Sequence, residues 1–349
     1  MLVLASDDTV LSDLLATALQ IGHIFYFIVM PMLLLVGVGY VLQRRMGLHM
    51  PTLVRLNFYL VVPGIIFVSV VSAEITATEV GTVVGFHVCM LALLAGVAYL
   101  SGVLRGVPRD QRNALMMAAM FYNSGNYGLP LQGFAFRDSG GASEAVSLQT
   151  FVMLTQNVAS FTIGILLAAA GGSQTRHWKH NLKKIASFPP LYVLVAALIT
   201  VTLRRELEPE TARTMAVALA PFWDALQYVA DAFFAVALGT LGAQLALVPR
   251  GNHHGYPVTL AVLLRLMIAP LIGLGLIYAL RLEGLVAQVL LISTATPTAI
   301  NCMLLCMEFD NHPDFLARSV FYSTILSPVT VTLVVFFAQG GFLNRLALG

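Results

Sequence analysis

Two short stretches carry the residue types that can do chemistry, and both interrupt strongly apolar runs. "FYNSGNYGLP" (Phe121 to Pro130) sets Asn123, Ser124 and Asn126 among Gly125, Tyr127, Gly128 and Pro130. "STATPTAIN" (Ser293 to Asn301) sets Thr296, Thr298 and Asn301 around Pro297. Glycine lets a chain leave helical geometry, and proline removes a backbone donor and opposes the preceding turn, so each stretch predicts a broken helix. Unpaired backbone groups at membrane depth survive only against protein or a water-filled cavity. Freed N–H groups, with the positive end of the half-helix that follows, favour an anion. The amides and hydroxyls add neutral donors. The chemistry this predicts is capture of a carboxylate in a neutral cage, which avoids the cost of burying a fixed cation.

The elements that must hold these stretches are membrane helices. Of 349 residues, 58% are hydrophobic and 10% charged, with a mean hydropathy of +0.84, far from the composition of a soluble domain. Apolar runs predict ten spans, at 24–43, 51–72, 80–104, 113–136, 146–170, 188–203, 222–248, 256–280, 286–308 and 315–337. Before the seventh, "PETARTMAVALA" reads as a helical lead-in and Pro221 as the turn into the membrane. The start, with Asp7, Asp8 and Asp13 and no basic residue ahead of its apolar part, makes a poor signal peptide.

Connections on one side carry Arg44, Arg45, Arg55, Arg105, Arg109, Arg112, Arg176, Lys179, Lys183, Lys184, Arg250 and Arg318. Those on the other carry Arg137, Arg204, Arg205, Arg213, Arg281 and Arg345, so twelve basic residues face six. Short basic loops stay cytoplasmic, which predicts a multi-pass protein of the inner (plasma) membrane with both termini extracytoplasmic. The organisation expected is an extracytoplasmic segment 1–23, a five-helix repeat 24–170, a basic cytoplasmic linker 171–187, a second repeat 188–337 and a tail 338–349. An odd number of spans per half inverts one half against the other, and the two polar breaks then fall in the fourth span of each. Paired interruptions in corresponding places point to a transporter's binding site.

Other polar residues within the spans are few. Asp231 is the candidate for proton or cation coupling. Arg265 is read as lying near the cytoplasmic end of its span, free to snorkel, and His87 as a packing residue. Gln149, Gln156 and Asn157 stripe the fifth span and read as interhelical hydrogen-bond partners. Cys89, Cys302 and Cys306 fall in apolar runs and read as small hydrophobes, without a disulfide or a metal. No HExxH, GxSxG or Walker loop occurs, which argues against an enzyme and against an ATP-driven pump in one chain. No basic tract suits nucleic acid, and no cofactor motif is present. The basic residues of "SQTRHWKHNLKKIASFPP", between spans five and six, suit contact with anionic membrane lipid head groups, with a plain topology signal as the blander account. A receptor or scaffold without transport is the reading from another class, and it lacks any soluble signalling domain.

"FYNSGNYGLPL" and "TATPTAINCMLLCMEFDNHPDFL" resemble the two crossover segments of the auxin efflux carrier family. That family includes the plant PIN auxin carriers and bacterial permeases for malonate, malate and similar acids. "LNFYLVVPGIIF" (Leu56 to Phe67), "FAVALGTLGAQLA" (Phe234 to Ala246) and "LLRLMIAP" (Leu263 to Pro270) resemble its second, seventh and eighth helices. The resemblance runs from about residue 24 to the end. It implies an all-α membrane fold like that of the bile-acid symporters and NhaA, with ten helices in two inverted repeats and helices four and nine crossing at the substrate. It also implies elevator-type alternating access and a homodimer. Asn123 falls on the family's crossover asparagine, which holds the substrate carboxylate, and Pro130 and Pro297 match crossover prolines. The long cytoplasmic loop of the larger plant carriers is missing, and the acidic residue some of them bear in the second helix has no counterpart. Transport of a small organic anion is therefore expected, with sodium-coupled symport of the bile-acid type as the alternative.

Overall fold

The computed structural model describes residues 4–171, 189–248 and 255–340. Apart from one isolated bridge, the described residues are helices and the turns between them. The linker 171–187 (beyond its first residue) and most of the tail 338–349 lie outside them, as does Arg250.

The chain begins with α1 (Leu4–Ile24), which passes through a π-helical turn (Phe25–Val29) into α2 (Met30–Met46). The segment expected ahead of the first span is thus helical already. Next come α3 (Met50–Leu56), a π turn (Asn57–Val61), α4 (Val62–Ser72) and α5 (Ala77–Leu104), the last started by a Thr76–Glu79 capping box. Then follow α6 (Arg109–Met120), a π turn (Ser124–Gly128), α7 (Leu129–Ala135), α8 (Ala142–Ala159), a π turn (Ser160–Gly164) and α9 (Ile165–Gly171). The second half contains α10 (Pro189–Glu206), α11 (Pro209–Asp231), α12 (Phe233–Ala246), α13 (Tyr256–Leu263), a π turn (Leu264–Ile268) and α14 (Ala269–Ala279). It closes with α15 (Gly284–Thr294), α16 (Ile300–Phe309) and α17 (Pro313–Gln339).

Four of the five π turns among the described residues end two positions before a proline: Pro31, Pro63, Pro130 and Pro270. Proline supplies no N–H and crowds the carbonyl four residues back, so the turn ahead of it widens. Pro221 does not turn the chain as the sequence suggested. It lies inside the continuous α11, where the only backbone loss is one helical donor.

Among the described residues seven helices are long and apolar enough to cross a membrane, including Met50–Ser72, Ala77–Leu104, Ala142–Ala170 and Pro313–Gln339. Each coincides with an expected span. The other expected spans correspond to shorter apolar helices, Pro189–Arg204, Gly284–Thr294 and Ile300–Phe309, and to the divided pair α6 and α7. This is a multi-pass, all-helical membrane protein. These helices expose apolar side chains, such as Leu34, Val88, Leu100, Met267 and Val329, which suits contact with lipid.

Packing divides the helices. α2 lies along α12, and α4 packs against α10 and α11. A Cβ on Gly242 would run into the Val36 carbonyl, and one on Gly39 into that of Gly239, so α2 and α12 approach closely only because these positions are glycine. Separately, α5 packs on α6 and α8, α7 on α8, and α17 on α13, α15 and α16. The two groups meet where α4 faces α8, where the 124–128 turn faces α12, and where α1 and the π turn ahead of α2 touch α17 and α7; the first two contacts form a seam that flanks the site.

Candidate functional site

Both polar stretches break their helices, and the breaks touch. α6 ends at Met120 and the chain restarts helically at Ser124. α15 ends at Thr294 and α16 starts at Ile300. Between them the extended segments lie antiparallel, with Tyr122 paired to Thr298. The Asn123 N–H donates to the Pro297 carbonyl at 2.7 Å, and the Ala299 N–H to the Phe121 carbonyl at 3.0 Å. The Ser124 N–H bonds the Tyr122 carbonyl at 2.8 Å, and the Thr298 N–H bonds Ser323 Oγ at 3.1 Å. Most of the N–H groups expected to await a ligand are therefore consumed by the crossing itself. Those of Gly125, Asn126 and Tyr127 precede the first bond of the new helix, from the Gly128 N–H to the Asn123 carbonyl at 2.9 Å.

The glutamine stripe of α8 braces this arrangement. Gln149 Nε2 donates to the Ser124 carbonyl at 2.9 Å, and Gln156 Nε2 to the Tyr122 carbonyl at 3.0 Å. Asn301 Nδ2 reaches Asn157 Oδ1 at 3.4 Å. A Cβ on Gly128 would come within 2.5 Å of Gln149 Nε2, so glycine there is what lets the Gln149 amide reach under the turn. Gln132 continues the ladder, from Nε2 to Gln149 Oε1 at 3.3 Å and to the Val289 carbonyl at 2.9 Å.

A cavity of about 70 Å³ lies against the first break. Asn123, Ser124, Gly125 and Asn126 line it, with Tyr122, Gln156, Asn157, Ser160 and Asn301 from the same helix group and Val54, Phe58, Val62 and Gln244 from the other. It holds a few waters at most. Val54, Phe58, Asn301 and Leu304 are shared with an open groove of about 410 Å³, whose rim includes Arg55, Pro189 and Glu308.

Several buried polar atoms in the lining have no partner. Asn123 is 8% exposed and its Nδ2 bonds nothing; Gln156 Oε1 and Gln244 Oε1 are likewise unpaired. Asn57 Nδ2 holds Asn126 Oδ1 at 2.9 Å across the seam. A buried amide left unsatisfied costs free energy unless something arrives to meet it.

The remaining sequence candidates are elsewhere. The Thr296 hydroxyl donates to the Ser293 carbonyl at 2.8 Å and the Thr298 hydroxyl to the Ala118 carbonyl at 2.9 Å, so neither faces the cavity. Tyr127 accepts from Ser327 Oγ at 3.0 Å and ties the turn to α17. Pro130 and Pro297 shape the backbone without lining the cavity. Asp231 is exposed at the end of α11 and is not part of the lining. His87 is fully buried, its Nδ1 2.9 Å from the Tyr122 hydroxyl.

Arg265 overturns the sequence reading most clearly. It does not snorkel. Its relative exposure is 0%, and the guanidinium stacks over the Tyr122 ring at 4.6 Å. Nη1 donates to the Ala119 carbonyl at 2.9 Å and Nη2 to the Thr294 carbonyl. A fixed cation therefore stands behind the cage that was expected to lack one. The three cysteines are free, and Cys306 packs its sulfur 3.7 Å from Met117 Sδ.

Apolar spans, two touching breaks and a polar cavity between helix groups define a membrane transporter, and comparison with known proteins gives the family. Residues 24–335 match the family described as Membrane transport protein, to which this chain belongs. An uncharacterized transporter of Methanothermobacter thermautotrophicus is 29% identical over 312 residues, 87% of this chain and 95% of the relative. An uncharacterized transporter of Methanocaldococcus jannaschii is 24% identical over 315 residues, covering 88% and 96%. Auxin efflux carrier component 1 of Arabidopsis thaliana is 24% identical over 167 residues, 47% of this chain and 24% of that one. The family is one of transporters, not of enzymes.

Proposed function

We propose that this transporter carries small organic anions, carboxylates such as malonate, malate or auxin-like acids, bound at the crossing of its two broken helices. One observation carries the reading: the buried, unpartnered Asn123 amide nitrogen lines a cavity that opens into a groove. The carboxylate group of the acid accepts there from Asn123 Nδ2 and from the N–H groups of Gly125 and Asn126, where the helix dipole also favours negative charge, and the rest of the acid extends toward the groove. Ser124, Asn126 and Asn301 complete the polar wall.

The architecture we infer is ten spans in two inverted repeats, with α6/α7 and α15/α16 as the crossing pair. The mechanism is elevator-type. The cavity is lined by both helix groups, so sliding the group that holds the crossing along α4 and α12 would carry the site from one side to the other. Loop charge assigns the groove side, marked by Arg55, to the cytoplasm.

A thermal-shift screen of the purified protein against malonate, malate and indole-3-acetate tests the reading, because a ligand that binds only the folded state raises its stability. Stabilisation by none of these acids, nor by other mono- and dicarboxylates, would refute it. A second reading, sodium-coupled symport, draws on the unpaired oxygens of Gln156 and Gln244, which suit a cation or a ligand bearing donors. The same screen with and without sodium decides it. For proton coupling, Asp231→Asn abolishes the pH dependence of uptake with binding intact if that carboxylate carries the proton. Unchanged pH dependence removes it from the mechanism.

A further inference from the structure

We infer that Arg265 sets the charge preference of the crossing: it neutralises the negative ends of both broken helices, so that their positive ends act on the ligand unopposed. The inference rests on the reading that the cavity takes an organic anion.

Four half-helix ends meet at the crossing. α6 and α15 bring C-termini, while the helix restarting at Ser124 and α16 bring N-termini. A helix end carries about half an elementary charge, positive at the N-terminus and negative at the C-terminus. Without another charge the four ends cancel, and the cavity would prefer neither sign. Arg265 changes the sum. Its Nη1 bonds Ala119 in the last turn of α6, and its Nη2 bonds Thr294, the last residue of α15. One guanidinium thus caps both C-termini, and a single cation offsets two half-charges. About one positive charge is left, on the N-termini beside Asn123.

Three further observations agree. Among the described residues the groups that meet the Arg265 guanidinium are two backbone carbonyls and the Tyr122 ring, and no carboxylate pairs with it. Its other neighbour is the ring of Tyr122, a residue that lines the cavity, so the cation stands behind the site. Its position is also built in, because the π turn ahead of Pro270 contains Arg265 and sets the direction of its side chain. Arginine suits the task, since its planar fork reaches two carbonyls at once and stays charged when buried. It touches no ligand. It is a positioning residue that acts through helix ends.

The test compares the wild type with Arg265→Gln, which keeps a donor and loses the charge, and with Arg265→Lys. The probes are whichever of malonate, malate and indole-3-acetate binds the wild type and its uncharged amide. Arg265→Gln should weaken the acid about tenfold to a hundredfold, the size of a unit charge acting across several ångströms of protein, and leave the amide within about twofold. Arg265→Lys should restore acid binding near neutral pH and lose it as the pH rises, because a buried ammonium deprotonates well before a guanidinium. Affinity of the wild type should hold across that range. If folded Arg265→Gln prefers acid over amide as strongly as the wild type does, the inference fails. If Arg265→Gln does not fold, the lysine variant decides, and an acid-to-amide ratio equal to wild type at every pH up to about 10 overturns it. A wild type that binds none of the acids instead refutes the anion site itself.

Discussion

The two breaks look alike in sequence and are used differently. Both combine hydroxyl or amide side chains with a proline, and both stop a helix midway. At the first, polar atoms are left over: Asn123 Nδ2 is buried without a partner, and Gly125 and Asn126 open onto the cavity. At the second, they are used up. Thr296 bonds the carbonyl three residues back, Thr298 reaches Ala118, and the Thr298 N–H takes Ser323. Only Ala299, Ile300 and Asn301 of that stretch reach the cavity. One break leaves polar groups open to the cavity and the other spends most of its own on bracing the crossing. Similar composition therefore implies similar backbone disruption, while the destination of each side chain depends on what it faces.

The sharpest way to break this comparison is at Asn123. Removing one hydrogen bond to a charged group costs about 1.5–3 kcal/mol, or roughly a 10- to 150-fold loss of affinity. Asn123→Ala should weaken acid binding by that factor and leave the thermal midpoint of the ligand-free protein nearly unchanged, since the lost amide nitrogen bonds nothing. Asn123→Asp should be worse, because it sets a negative charge against an anion. Binding and uptake in proteoliposomes, read beside thermal midpoints, check both. Equal affinity in all three proteins would move the site elsewhere.

Thr298 should give the reverse pattern. Its hydroxyl satisfies the Ala118 carbonyl, one of the last four of α6 and so without a helical partner of its own. Thr298→Val keeps the shape and strands that carbonyl, at a cost of about 1–3 kcal/mol in stability. The thermal midpoint should fall, with acid affinity in the surviving fold within a few-fold of wild type. A variant that keeps its stability and loses affinity would place Thr298 in the binding site and erase the distinction.

Proline at both breaks, with two glycines at the first, made them legible in the sequence, because these residues act through the backbone and need no knowledge of neighbours. Span positions were legible for the same reason: apolar length is a local property, and the long helices coincide with the expected runs. Local composition could not give helical phase. Each π turn rotates all that follows it, so the direction of Arg265 depended on a widened turn ahead of Pro270 that hydropathy does not register. Arg265 was expected to snorkel, and instead it fills the space that the carbonyls of two distant segments create. The hydroxyls of Thr296 and Thr298 were misplaced for a related reason. Their acceptors, the Ser293 and Ala118 carbonyls, become available only once the helices have ended.

The smallest effect concerns the far ends of the same two breaks. α6, which leads into the first, starts at Arg109, and α16, which leaves the second, ends at Phe309. His312 Nε2 joins them at 3.0 Å from Asp110 Oδ2, in a contact with side chains 33% and 63% exposed. Desolvation, the largest single effect, raises the Asp110 carboxyl, but the N–H groups of Asp110 and Gln111 and the His312 ring together outweigh it and hold the group below its usual value. A depressed carboxyl stabilises the fold above its unfolded pKa, and the benefit disappears as pH falls through the folded value. Asp110→Asn should therefore lower the thermal midpoint slightly at neutral pH, with the gap to wild type closing in acid. Exposed pairs contribute little and are screened by salt, so the difference should also shrink at high ionic strength. Acid affinity should not move, because Asp110 lies on neither the cavity nor the groove. A loss of affinity in Asp110→Asn would instead mean that the outer ends of the broken helices control the crossing, and the division between a presenting break and a bracing one would have to extend to their full length.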